Sequence, residues 1–254
     1  MAERVPAVIE PPHLCVFVLP GVAQDVALIR CWDELERAGC TFSGDVVVTR
    51  SDSPFRSVTD VERDVISYRG AAALLVREHR VLAVGLRHAR FGAVSLSVAS
   101  TRDEDERHPL EIAVYAGGLA FPVALRSRGQ KADARTRWRW AKSLLVAASL
   151  RTEAEYGAAG VEAAFPSSRA LGGAVGQRVL RPSTWFVPAS TDDRAADERV
   201  LAALPPSALS RGPAGVLVRG PGADGEGGVS EDDDVDRVLA LLARRAERVR
   251  RGSP

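Results

Sequence analysis

Leu14-Cys15-Val16-Phe17-Val18-Leu19 is a continuous apolar run, and a run without alternation suits a strand buried on both faces. Pro20-Gly21 ends it. Leu28, Trp32 and Leu35 then recur at helical spacing between Val22 and Ala38, and Gly39 stands where a helix C′ residue belongs. A second apolar strand is expected from Asp45 to Thr49, centred on Val46-Val47-Val48. The opening therefore reads β-α-β, the start of an α/β or α+β sheet. A right-handed crossover through that helix would make the two strands parallel neighbours.

Further along, Thr59-Asp60-Val61-Glu62 has the spacing of a capping box, with Val61, Val65 and Tyr68 as the helical stripe behind it. Ala71 to Arg77, Val81 to Arg87 and Phe91 to Ala99 read as strands with short separators, which favours an antiparallel meander. An acidic turn at 103–106 leads to Glu111 through Phe121, a strand or a strand broken at Gly117-Gly118. Asp133 to Leu150 turns helical, with Trp138, Ala141, Leu145 and Ala148 at the right interval. Ala158 to Phe165, Thr184 to Val187 and Gly215 to Val218 suit strands, and Ala195 to Leu204 a short helix. The last helix is amphipathic: Val235, Val238, Leu239, Leu242, Ala246 and Val249 share a stripe, Ser230 can cap it, and the acids of 231–236 and the arginines of 244–251 suit its dipole. The expected fold is α+β: a βαβ start, a central antiparallel meander and a C-terminal amphipathic helix. One domain over 1–254 is expected, with a candidate subdomain seam in the irregular 166–182 stretch.

With 254 residues and 46% hydrophobic side chains, the chain can build a real core. Three cysteines, Cys15, Cys31 and Cys40, form no C-x-x-C pair, which argues against a disulfide scaffold and for a reducing cytoplasm. No apolar run approaches the roughly 20 residues that span a bilayer, so no membrane role is expected. All but two of the 34 basic residues are arginine and asparagine is absent, the mark of a high-GC bacterial genome. The net charge of +1 supplies no global pull toward nucleic acid.

The largest local charge excess runs from Arg126 to Lys142: Arg126, Arg128, Lys131, Arg135, Arg137, Arg139 and Lys142 against the single acid Asp133. Arg135, Arg139 and Lys142 fall on one helical face, with Trp138 and Trp140 alongside. Arg126, Arg128, Lys131, Arg135, Arg139 and Lys142 are accordingly the expected partner- or anion-binding residues, since arginine forks suit carboxylates and phosphates. The acids of 224–236 lack the alternation of a calcium loop, and no metal or cofactor is expected. His13, His79, His88 and His108 are scattered, and no G-x-S-x-G, S-x-x-K, H-E-x-x-H or phosphate-loop signal occurs. Catalytic residues cannot be named from sequence, and whether the chain is an enzyme stays open.

Three functions remain. One is a non-catalytic protein-binding module of immunity or adaptor type with an acidic partner. The run Glu155-Tyr156-Gly157-Ala158-Ala159-Gly160-Val161-Glu162 after an amphipathic helix resembles a stretch of bacterial toxin-immunity proteins. The second is an enzyme with a dispersed site, for which His88, Glu111 and Tyr115 would have to share a pocket. The third is a nucleic-acid binder using the 126–142 stretch.

Overall fold

The computed structural model describes residues 12–49, 61–66, 69–77, 81–98, 109–163, 183–189, 194–220 and 232–252. Ten strands form one sheet: β1 (His13–Leu19), β2 (Cys40–Thr49), β3 (Val61–Val65), β4 (Val81–His88), β5 (Gly92–Val98), β6 (Leu110–Tyr115), β7 (Tyr156–Val161), β8 (Thr184–Pro188), β9 (Leu209–Gly212) and β10 (Gly215–Arg219). Their order is β3-β2-β4-β5-β6-β1-β7-β8-β10-β9, antiparallel at every pairing. Among the described residues five α-helices accompany it: α1 (Gln24–Arg37), α2 (Arg69–Arg77), α3 (Arg128–Arg151), α4 (Arg194–Ala202) and α5 (Asp232–Gly252). The α+β class, the antiparallel meander β4-β5-β6 and the C-terminal helix all agree with the sequence reading.

The alternation of β1 assigns the layers. Leu14, Val16 and Val18 enter a core with Leu28, Trp32 and Leu35 of α1, Ala72 and Val76 of α2, and Trp138, Ala141 and Leu145 of α3. Leu19 of β1, with its register partner Tyr156 and with Ala158, Trp185 and Val218, enters a second core under α4 and α5. Successive strand residues point to opposite faces. Helices α1–α3 therefore cover one face, α1 and α2 over β2, β4 and β5 and α3 over β1, β7 and β8, and α4–α5 cover the other face over β7, β8 and β10. Leu201, Leu204, Val235, Val238, Leu239 and Leu242 complete this second core, as the stripe of α5 requires.

Several expectations are corrected. β1 and β2 lie in one sheet but are not neighbours, because β6 and β7 occupy both edges of β1 and three strands separate it from β2. Alternating antiparallel pairs still leave the two strands pointing the same way. Val61–Val65 is an edge strand paired with β2, not the start of a helix; V-E-R-D-V alternates with period two as readily as it fits a helical stripe. Ala71 to Arg77 belongs to helix α2, whose alanines and leucines are strong helix formers. β6 stops at Tyr115, and a 3-10 turn at Gly117–Ala120 follows, so Phe121 lies outside the strand. Helix α3 begins five residues before Asp133, where Ser127 and Gln130 close a reciprocal capping box. The sequence pattern contains no counterpart of β9. Arg245, expected to suit the dipole at the end of α5, is buried and paired with Asp197. The Thr59–Asp60 cap, His79, His108, the 103–106 turn, the 166–182 seam, Ser230 and the side chains of 231–234 lie outside the described residues.

Candidate protein-binding surface

The segment Phe121-Pro122-Val123-Ala124-Leu125 is apolar and exposed along its whole length, with Leu125 74% accessible. Apolar side chains clustered this way on a surface mark contact sites more often than isolated ones do. The loop carrying them is anchored at several points. The Asp133 carboxylate accepts the Gly118 N–H (3.0 Å) and the Arg137 Nε–H (2.8 Å). Arg137 also donates to the Tyr115 carbonyl oxygen (2.9 Å). From the other end, Arg126 donates to the carbonyl oxygens of Phe121 (2.8 Å) and Leu119 (3.4 Å). Gly117 has φ +56, and a Cβ there would run into Arg137 and Asp133; a Cβ on Gly118 would run into the Gln130 carbonyl. Only glycine lets the loop approach α3 this closely. Burial pushes the Asp133 carboxyl up, but the Gly118 N–H and the Arg137 guanidinium outweigh it, and the group titrates below the usual aspartate range.

Helix α3 starts where the loop ends. Arg128, Lys131, Arg135 and Arg139 are exposed and Lys142 is half-buried, and among the described residues none of the five has a carboxylate partner. Two cations of the sequence-defined stretch do structural work instead. Arg126 holds the loop, and Arg137, only 8% exposed, pairs with Asp133 and lies over the Phe91 ring at 4.8 Å. Trp138 is core, as expected. The first turn of α3 contains no acid, so Arg128 and Lys131 sit at the positive end of the macrodipole, where cations oppose helix stability and add to an anion-attracting potential. Sequence reasoning missed the apolar half of this surface: the expected strand ended at Phe121, and Pro122 to Leu125 suggested no element of their own.

The residues that would make a dispersed catalytic site do not meet. His88 lines a cleft of about 550 Å³ between α1, the β4–β5 turn and α3. Glu111 lines another, of about 400 Å³, with His13, Cys15, Ser95, Ser97 and Glu162. The two are on opposite faces of the sheet: His88 follows Val84 and Leu86, which enter the first core, whereas Glu111 is paired with Phe17 on the other face. The His88 pKa is lowered by burial above all, with Arg137 and Arg90 adding to the effect against the Ala38 backbone hydrogen bond, which raises it. Its Nδ1 accepts the N–H groups of Arg90 (3.1 Å) and Phe91 (3.2 Å). The thiols are poor nucleophiles. Burial, then the Glu111 carboxylate, pushes Cys15 far up, and burial pushes Cys31 to about 12 and Cys40 to about 11.

No family model matches this chain, and no curated protein matches it significantly in sequence. Among solved structures it is similar to the Pseudomonas aeruginosa T6SS protein PA0821, at 13% identity and a TM-score of 0.43, covering 96% of this chain and 86% of that one.

Proposed function

We propose that the chain is a non-catalytic protein-binding module of immunity or adaptor type, whose acidic partner docks on the 121–125 loop and the N-terminal half of α3. One observation carries this reading: an anchored, exposed apolar loop adjoins Arg128, Lys131, Arg135 and Arg139, which have no carboxylate partner among the described residues. Apolar anchors ringed by charge are the anatomy of a specific protein interface. A loop already held in place loses little freedom on binding. No helix among the described residues is long and apolar enough to cross a membrane.

The test starts with a photo-crosslinking residue at position 125, used in the host to capture the partner, which is then purified. Binding of the purified pair should weaken with Leu125→Asp, weaken with the Arg128→Glu/Lys131→Glu/Arg135→Glu triple variant, and fall with added salt. A partner that binds both variants as it binds the parent chain refutes the proposal. Nucleic acid binding that depends on the cations and ignores Leu125→Asp would replace it with the polyanion reading, because phosphates gain nothing from an apolar loop.

A further inference from the structure

The cleft beside His88 is built differently from the docking surface. Its walls are Phe91, Trp140, Leu144, Ala147 and Ala38. Phe91 and His88 stack with centroids 4.3 Å apart, and Trp140 stands edge-on to both, 5.3 Å from Phe91 and 5.7 Å from His88. The Trp140 indole N–H donates to the Ala38 carbonyl at the end of α1 (3.3 Å), which fixes the ring. Three guanidinium groups, Arg37, Arg90 and Arg139, line the same cleft with one carboxylate, Glu34. That carboxylate is 8% exposed and already serves both Arg37 and Arg151. Arg90 and Arg139 are both exposed, and neither makes a salt bridge among the described residues, although Arg90 also lies over the Phe91 ring at 5.9 Å.

The indole of Trp140, set at about 65° to the His88–Phe91 stack, offers an aromatic surface to a planar apolar body, and two guanidinium groups with no salt bridge among the described residues favour a carboxylate on it. The volume of about 550 Å³ lies in the range of small-molecule sites. We infer that this cleft binds a small aryl carboxylate, its ring against Trp140 and its carboxylate between Arg90 and Arg139. The inference shares Arg139 with the docking surface but involves neither the 121–125 loop nor Arg128, Lys131 and Arg135, so the Leu125 variant tests the one and the Arg90 variant the other.

The test uses the full chain alone, with 4-(trifluoromethyl)phenylacetate as the probe and the corresponding alcohol as the neutral control, followed by fluorine NMR and calorimetry. Saturable binding of the acid is expected, with the alcohol weaker by about tenfold or more, a difference of about 1.4 kcal/mol. Arg90→Glu with Arg139→Glu should weaken the acid by at least about the same factor, and Trp140→Leu should weaken acid and alcohol alike. Unchanged thermal midpoints show that the variants are folded; Arg90→Gln alone, at an exposed turn, serves if the double variant is not. Absence of saturable binding, equal binding of the alcohol, or indifference to the Arg90 and Arg139 changes overturns the inference, whatever the outcome with the Leu125 variant.

Discussion

Arg245 shows how one side chain can hold several elements together. Its guanidinium, 4% exposed, donates to the Asp197 carboxylate of α4 and to the carbonyl oxygens of Glu155 (3.1 Å) and Pro188 (2.9 Å). Removing one member of a buried pair costs about 3–5 kcal/mol. Arg245→Met should therefore lower stability by about that much in urea denaturation, and adding Asp197→Leu should recover part of it. A loss under about 1 kcal/mol would mean that Asp197 finds other partners. Asp133 gives the pH counterpart. Its carboxyl is depressed in the folded chain, so its contribution is present above the ordinary aspartate range and is lost as pH falls through the lower folded value. Stability measured from pH 6 down to about 3 should fall more steeply in the parent chain than in Asp133→Asn. Equal slopes would count against the loop latch.

Helix α3 carries one charge that is paired and buried, Arg137, and others that the proposed docking surface would use. Acids at a helix start stabilise it and cations oppose it, by about 0.3–1 kcal/mol each when exposed. Arg128→Glu and Lys131→Glu should each raise the urea midpoint slightly while weakening partner binding. A variant that loses stability would show that these cations have a structural task. The core stripe of α3 was legible because Trp138, Ala141, Leu145 and Ala148 repeat at helical spacing over a long element. Its first turn was not, because the Ser127–Gln130 cap lies ahead of the apolar pattern among arginines. Short elements fared worse. Ala71 to Arg77 and Val61 to Val65 hold too few residues for period two and period 3.6 to be told apart, and each was read as the other kind. The cationic residues of the candidate surface were visible as a run, but which of them are free was not, since Arg137 and Arg126 find partners only in the folded chain.

At the scale of the molecule, sequence showed apolar strands but not their order. β1 is buried on both faces, as its unbroken apolar run implied, yet its neighbours come from positions near 110 and 160, a long-range pairing that no local pattern encodes. The same strand feeds both main cores, and β7 does so too, through Ala159 on one face and Tyr156 and Ala158 on the other. We propose that the chain unfolds as one cooperative unit, because neither core can be lost without stripping one side from β1 and β7. Leu145 lies in the first core and Leu242 in the second, both fully buried, so truncating either to alanine should cost about 2–5 kcal/mol. Calorimetry should show one transition that either variant moves as a whole. Near-ultraviolet circular dichroism should report the same midpoint as the heat signal, with Trp185 in the second core and Trp32 and Trp138 in the first. Two separable transitions, only one of them shifted by Leu242→Ala, would make the cores independent units and move the boundary to the stretch between β7 and β8.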